Sequence, residues 1–439
     1  MAADKWGYNK MVVIGIFIMF LGYLFLSIPL GSGTTAIAAM GAALLLVGLG
    51  TGFFKGNLQV MIGDLYSDPR YAGQRDSGFS LFYMAINIGA LFAPTAATSV
   101  MAWAQDSLGF SKGDSYHFAF AVACVSVIVS MLIYFLGRST YKQVLVSDSK
   151  DATKKKEEVE EMSPAETKER IICLGLVFAV VIFFWMAFHQ NGLTLTWFAD
   201  EFTSRQATGV TGMEFSVMNL VWCIFIVFGV CGLITTKNAS LKSKLKNILL
   251  IVVPAVILVV EYMKHGGDTV TIDAPIFQQF NPCFVVALTP VSIALFGWLA
   301  KKGKEPKAPV KIGLGMLVAA VAYLIMTIFS IGLPVSDHPN HVADMNPNLL
   351  VSTYLILTFA ELLLSPIGIS FVSKVAPSKY KGMMMGGWFV ATAIGNKLVS
   401  IPGHMWNLPL PFVWGTLMVI CLLAALFIFS ILKKLNKVS

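Results

Sequence analysis

Residues 50–94 read GTGFFKGNLQVMIGDLYSDPRYAGQRDSGFSLFYMAINIGALFAP, and this stretch decides the predicted fold. Two apolar segments flank a short polar loop that contains three aspartates and two arginines. Lys55 lies inside the first apolar segment, and Asn87 lies inside the second. An ionisable side chain at membrane depth costs roughly 2.5–3.5 kcal/mol, so by default it marks a substrate or ion pathway. The alternative for Lys55 is a lysine that snorkels towards a helix end.

The composition of the whole chain is that of a membrane protein. Of its 439 residues, 56% are hydrophobic and only 13% are charged, whereas a soluble domain has about 25% charged residues. The mean hydropathy is +0.73. The apolar residues lie in runs of about 20, which is the length that crosses about 30 Å of hydrocarbon. We therefore predict an all-α polytopic membrane protein.

Motifs typical of enzymes and metal sites are missing from the sequence. It contains no His-Glu-x-x-His run, no Gly-x-Ser-x-Gly run and no phosphate-binding loop. None of the six cysteines has the Cys-x-x-Cys spacing of a metal or redox site. We therefore expect neither an enzyme nor an ATP-driven pump, and we expect no cofactor and no metal.

Twelve apolar runs are long enough to span a membrane, and the distribution of basic residues supports them. Of the 32 Lys and Arg residues, 27 fall in the termini and alternate loops on one side, and three fall on the other side. Cytoplasmic loops are enriched in Lys and Arg, so we expect both termini to be cytoplasmic and the protein to lie in the plasma (inner) membrane. The net charge of +8 reflects this topology, and no nucleic-acid partner is expected. The predicted spans are 11–30, 36–63, 79–104, 117–137, 170–198, 214–234, 246–264, 277–300, 311–333, 349–373, 383–403 and 410–432.

The opening stretch resembles a known transporter family. Residues 54–57 read Phe-Lys-Gly-Asn, and residues 63–66 read Gly-Asp-Leu-Tyr. Both runs are similar to the fourth helix of the proton-coupled oligopeptide transporters of the major facilitator superfamily, although Gly56 stands where that family has proline. Positions that match the fifth-helix signature of the family are Phe79, Phe82, Tyr83, Met84, Ile86, Asn87, Ile88, Gly89, Ala90 and Leu91.

The resemblance implies a major facilitator fold of two helical bundles and a secondary active transporter. Such a protein would import di- and tripeptides with protons by alternating access around a site at the membrane midplane. Its expected partners are a di- or tripeptide substrate, protons and the lipid bilayer, and we expect a monomer.

The order of the spans implies a departure from the family. Residues 3–10 and 297–304 resemble the two copies of a superfamily loop motif, and four predicted spans follow each copy. No span precedes the first copy, so we expect the fold to be N-terminally truncated and to lack the first two family helices, with their Glu-x-x-Glu-Arg motif. The spans within 214–264 have no counterpart among the core helices, so we expect an extra helix hairpin in the C-half. The predicted domains are an N-terminal bundle at 1–137 (family helices 3–6), a charged cytoplasmic linker at 138–169 and a C-terminal bundle at 170–439 (family helices 7–12) that contains the hairpin.

Two charged side chains within the spans are the main candidates for substrate binding. Glu361 is the only carboxylate in the middle of a span, and a lone buried carboxylate is costly unless it is paired or protonated. The resemblance implies that Glu361 receives the amino terminus of a peptide, and Lys55 would receive the carboxylate. This pair would suit a zwitterion of fixed backbone length. The alternative for Glu361 is a structural carboxylate that a neighbouring helix satisfies.

Two asparagines are candidates for hydrogen bonds to the substrate. Asn87 and Asn281 can each donate to and accept from a peptide amide. Asn281 precedes a proline, so its alternative is a cap at a helix break.

One histidine is a candidate proton carrier. Trp185 and His189 are four residues apart and should share a helix face. The resembling family has an acidic residue at the position of His189, and a histidine there could carry a proton because it titrates near neutrality. The alternative is a hydrogen-bonded core histidine.

Trp388 and Thr392, one turn apart, resemble pocket residues of the eleventh family helix, and ordinary core packing is the alternative for both. The predicted substrate-binding residues are thus Lys55, Asn87, Trp185, Asn281, Glu361, Trp388 and Thr392, and the predicted proton-coupling residues are Glu361 and His189. Two other functions stay open. The chain could be a major facilitator carrier of another small solute, or a non-transporting fragment because the first two helices are absent.

Overall fold

The computed structural model describes residues 2–29, 33–142, 144, 162–235, 240–336 and 344–438, and these are mostly helical. The first helices are α1 (Ala2–Trp6), α2 (Tyr8–Leu26), α3 (Thr34–Leu65), α4 (Arg75–Leu108) and α5 (Lys112–Leu136). The next helices are α6 (Pro164–Phe188), α7 (Thr194–Glu201), α8 (Gly209–Glu214), α9 (Val217–Thr235) and α10 (Leu241–His265). The last helices are α11 (Phe280–Lys301), α12 (Ala308–Phe329), α13 (Pro347–Val375), α14 (Lys381–Leu398), α15 (Ser400–His404), α16 (Leu410–Ser430) and α17 (Leu432–Val438).

Short elements connect these helices. Two strands, β1 (Gln206–Ala207) and β2 (Val270–Thr271), pair antiparallel on either side of the α9–α10 hairpin. The 3-10 turns are Ala72–Gln74, Gly137–Tyr141, His189–Gly192, Ala274–Gln279 and Ser378–Tyr380. Most of the charged linker predicted at 138–169 lies outside the described residues, which omit 143 and 145–161.

By length and composition, eleven helical stretches of the described chain could cross a membrane. The predicted span 383–403 is not among them. That stretch forms α14 and the short α15, and α14 contains two lysines and an asparagine among its 18 residues. It is therefore helical as predicted but less apolar than the other spans. The span predicted at 170–198 is longer than expected, since it covers Pro164–Glu201 with a 3-10 turn at His189.

The chain forms two compact units. The first unit contains Met1–Gly78, Phe92–Leu174 and Val372–Phe389. The second contains Phe79–Leu91, Gly175–Phe371 and Val390–Ser439. Four helices, α4, α6, α13 and α14, contribute residues to both units.

In the first unit, α2 packs closely against α3 through glycines. A Cβ atom at Gly15 would lie 2.7 Å from the backbone nitrogen of Phe54 and 2.8 Å from the carbonyl oxygen of Gly50. Small residues of this kind allow membrane helices to approach closely. Side chains also tie α5 to this pair, since His117 Nδ1 donates to the carbonyl oxygen of Leu26 at 2.7 Å.

In the second unit, α13 is the most buried of the candidate spans, since 83% of its most apolar 18-residue segment is buried. α12 packs against α16, and the Tyr323 hydroxyl of α12 donates to the carbonyl oxygen of Ala187 at 2.5 Å. The helices α9 and α10 form a hairpin in which a Cβ at Gly229 would lie 2.7 Å from the carbonyl oxygen of Asn247. The burial of α13 matters because this helix carries Glu361.

Candidate functional site

Glu361 lies at the centre of α13, and its side chain is buried with 3% of its surface exposed. Pro366 follows five residues later within the same helix, where it removes one backbone hydrogen bond. Most of the neighbouring positions on α13 are buried, so this helix is covered on nearly all sides. An ionisable group at this place requires polar partners.

Neutral donors from two other helices supply these partners. The Tyr83 hydroxyl of α4 donates a short hydrogen bond to Glu361 Oε1. Asn281 Nδ2, near the start of α11, donates to Glu361 Oε2 at 2.7 Å and lies 3.0 Å from Thr358 Oγ1. Within the described residues, no lysine or arginine forms an ion pair with Glu361. The carboxylate therefore has hydrogen bonds on both oxygens but no counter-charge.

A carboxylate in this environment responds to any positive charge that reaches it. Burial penalises the charged form, and neutral donors offset only part of that penalty. A proton or the ammonium group of a ligand would neutralise the charge and keep the remaining hydrogen bonds. Glu361 can thus bind an amine or carry a proton.

Asn87 is linked to the same cluster through Tyr83. It lies one helical turn after Tyr83 on α4 and is buried, and its Nδ2 donates to the carbonyl oxygen of Tyr83 at 2.9 Å. Asn281 in turn is occupied by Glu361 and Thr358. The Nδ2 group of each asparagine thus donates within the protein.

Trp185 and His189 share a helix face, as predicted. Their rings stack with centroids 4.7 Å apart and an interplanar angle of 23°. His189 Nδ1 donates a short hydrogen bond to Asn396 Oδ1 of α14. The neighbouring Gly395 allows this contact, because a Cβ there would lie 2.6 Å from the carbonyl oxygen of Ile182 on α6.

Lys55 and Trp388 belong to the first unit, whereas the other predicted site residues belong to the second. Lys55 is exposed, and its Nζ lies 5.2 Å from the centre of the Phe389 ring. Trp388, which precedes Phe389 on α14, is buried, and Thr392 follows Trp388 one turn later. The lysine therefore has a cation–π contact that stabilises it weakly and leaves the ammonium group accessible.

A second polar cluster in the first unit joins the start of α14 to α3. Lys381 Nζ forms a salt bridge with Asp64 Oδ1 at 2.9 Å, and both side chains are largely buried. The backbone nitrogen of Gly382 donates to Asp4 Oδ1 at 2.7 Å. Arg75 Nη2 donates to the carbonyl oxygen of Gly63 at 2.5 Å. These contacts fasten α14 to the N-terminal segment and to the polar loop.

Sequence reasoning assigned no role to Tyr83, Asn396 or Lys381. Tyr83 had a usable signal, since it lies four residues before Asn87 and must share a face with it. Asn396 and Lys381 lie more than 200 residues from their partners, so no local pattern points to them.

Comparison with known proteins identifies what the chain resembles. The model of the POT family (PTR2) matches residues 9–159 and 255–408. An uncharacterized transporter of Bacillus subtilis, YclF, is 28% identical over 93% of this chain and 75% of its own length. A di-/tripeptide transporter of Lactococcus lactis subsp. lactis is 26% identical over 89% of this chain and 73% of its own length.

Solved structures agree with the fold. A crystal structure of a POT family transporter in complex with a thioalcohol-conjugated peptide has a TM-score of 0.61 at 18% identity, covering 99% of this chain and 83% of that one. A peptide transporter in complex with alafosfalin has a TM-score of 0.59 at 22% identity, covering 100% of this chain and 82% of that one. At these identities the likeness shows the fold alone.

Proposed function

The chain belongs to the POT family of membrane transporters, and we propose that it imports di- and tripeptides together with protons by alternating access. The observation that carries this proposal is the Glu361 cluster, a buried carboxylate held by neutral donors only. The di-/tripeptide transporter relatives support peptides as the substrate class.

The charged groups of the chain suit the two ends of a peptide. For Glu361, the proposed ligand is the ammonium group, which would supply the positive charge that its surroundings lack. For Lys55, the proposed ligand is the peptide carboxylate, since its ammonium group contacts the Phe389 ring and forms no ion pair within the described residues. A protein that binds both ends can accept many side chains between them. Asn87, Trp185, Asn281, Trp388 and Thr392 complete the proposed set of substrate-binding residues.

Proton coupling is proposed for Glu361 and His189. Glu361 can hold either a proton or an ammonium group, so a proton that the peptide displaces there must pass to a second group if both are to be imported together, and His189 is the proposed acceptor. His189 is held by Asn396 and stacked on Trp185, and an imidazole can relay protons near neutral pH. The salt bridge between Asp64 and Lys381 is a proposed closing contact that breaks and re-forms during alternating access.

Membrane location and assembly are the remaining parts of the proposal. The protein is a multi-span membrane protein. A plasma (inner) membrane location with both termini in the cytoplasm is proposed from the bias of Lys and Arg residues. A monomer is proposed as the working unit.

Uptake by proteoliposomes tests this function. The full chain is reconstituted, and uptake of labelled dialanine is measured with an acidic exterior and a neutral interior. The proposal predicts accumulation that collapses when a protonophore removes the pH gradient and that other dipeptides compete with. Uptake of nitrate or single amino acids without dipeptide competition would instead indicate a carrier of another small solute. Absence of any uptake, with no dipeptide binding to the purified protein, would refute transport.

A further inference from the structure

The α9–α10 hairpin carries an open groove of about 470 Å³ that the transport proposal does not use. One wall is a single face of α10 that runs from Lys242 through Leu249 to Pro254, with lining residues that recur in the i, i+3, i+4, i+7 pattern of one helix face. Trp222 and Phe225 of α9 form part of the other wall. At 1.5 Å per residue, the α10 wall is about 18 Å long.

The two ends of this groove differ in charge. Lys242 and Lys246 line one end and are exposed, whereas the rest of the lining is apolar. Residues 215–260 contain no aspartate or glutamate, and α11, which packs against α9, contains none either. Within the described residues, neither lysine forms an ion pair. Among the residues that the structure describes, the positive charge at this end is therefore not compensated.

The position of the lysines on the helix adds to this charge. α10 begins at Leu241, after a Ser240 cap whose hydroxyl accepts from the backbone nitrogen of Ser243. A helix N-terminus is itself positive and favours anions, so lysines in its first turns are unfavourable unless an anion lies nearby. In the topology proposed above, this end of the hairpin lies at the cytoplasmic surface, where anionic headgroups lie.

We propose that the groove binds one anionic phospholipid of the cytoplasmic leaflet. The phosphate contacts Lys242 and Lys246, and one acyl chain follows α10 past Leu249 to Trp222. Two lysines at one end and an apolar lining beyond them match an anionic headgroup followed by a single hydrocarbon chain.

Native mass spectrometry of the purified full chain tests this site. The protein is delipidated and titrated with dioleoyl phosphatidylglycerol or dioleoyl phosphatidylcholine. One phosphatidylglycerol should bind in preference to phosphatidylcholine. Since each lysine at a membrane surface contributes a factor of about five, the Lys242→Gln/Lys246→Gln variant should bind it roughly 30-fold more weakly. The matched control, Lys301→Gln/Lys304→Gln, removes two exposed lysines of α11 and the loop after it, and it should bind like the wild type.

A second variant and a second readout protect the test against misfolding. Leu249→Trp fills the groove without changing the charge and should also lose the bound lipid. Brominated phosphatidylglycerol should quench the tryptophan fluorescence of the wild type more than that of Trp222→Phe. The proposal would be overturned if the lysine variant and its control bound phosphatidylglycerol equally well. It would also be overturned if the wild type bound phosphatidylglycerol and phosphatidylcholine equally well. A third outcome would also overturn it: a stable wild-type dimer that binds no phosphatidylglycerol and that dissociates in the Leu249→Trp variant, because a second copy would then occupy the groove.

Discussion

Glu361 and Lys55 are both ionisable groups within membrane spans, yet the protein surrounds them differently. Glu361 is buried, and neutral donors satisfy both of its oxygens. Lys55 is exposed and has one aromatic ring beside it. The carboxylate is thus held in one geometry before any ligand arrives, whereas the lysine has a weak cation–π contact that does not fix its ammonium group. We therefore expect changes at Glu361 to have the larger effects.

Replacing the carboxylate should have the largest effect. Glu361→Gln keeps a hydrogen-bonding side chain of the same size but can neither carry a proton nor neutralise an ammonium group. Loss of one partner from a buried charged contact corresponds to a fall on the order of 100-fold in pH-driven dialanine uptake. Glu214→Gln removes a carboxylate of α8 outside this cluster and should leave uptake unchanged. Uptake by Glu361→Gln within twofold of the wild type would show that Glu361 is only structural.

Removing one donor should have an intermediate effect. Tyr83→Phe deletes the hydrogen bond to Glu361 Oε1, and a hydrogen bond to a charged group is worth about ten- to hundredfold. We expect uptake to fall within that range and its pH profile to change, because the donor stabilises one protonation state. Tyr354→Phe, which removes a hydroxyl of α13 that donates to the carbonyl oxygen of Asn191, is the matched control. Equal pH profiles of uptake for the two variants would show that Tyr83 does not influence the protonation of Glu361.

Much of this account could be predicted from the sequence. Run length and hydropathy predicted the helices, because a membrane imposes a fixed span. Glu361 was recognisable as a carboxylate in the middle of an apolar run, and the spacing of Trp185 and His189 predicted their shared face. α14 differed from its predicted boundaries and apolar character, and Lys381, Gly382 and Gly395 of this helix serve contacts with other segments. Those contacts, such as Lys381 with Asp64, join residues 317 positions apart and are invisible to local patterns.

The lysine should have a smaller effect on transport. Lys55→Ala should raise the KM for dialanine about two- to fivefold and leave kcat nearly unchanged, since an exposed charge pair is screened by water. Lys55→Arg keeps the charge and should behave like the wild type. A fall in kcat with unchanged KM in Lys55→Ala would mean that the lysine acts in a step after binding.

The smallest effect concerns stability at a second carboxylate. Burial raises the pKa of Glu214, and within the described chain no group donates to its Oε2. A raised carboxyl pKa means that the charged form opposes folding, so stability is highest at acidic pH and falls as pH rises through the folded-state pKa. Glu214→Gln should therefore raise Tm at neutral pH more than at acidic pH. An equal change in Tm at both pH values would contradict this assignment.

The central claim is that Glu361 binds the ammonium group of the peptide and Lys55 binds its carboxylate. The most direct test compares, for each variant, the affinity for peptides that lack one of these charged ends. Competition against labelled dialanine uptake gives the relative affinity of dialanine, its C-terminal amide and its N-acetyl form for each protein. The account predicts that the wild type loses affinity for both altered peptides. Lys55→Ala should no longer discriminate against the amide but should still reject the N-acetyl form. In Glu361→Gln, binding of the same ligands replaces uptake, and only the discrimination against N-acetyl dialanine should disappear. Unchanged discrimination in both variants would show that neither residue binds its proposed end of the peptide.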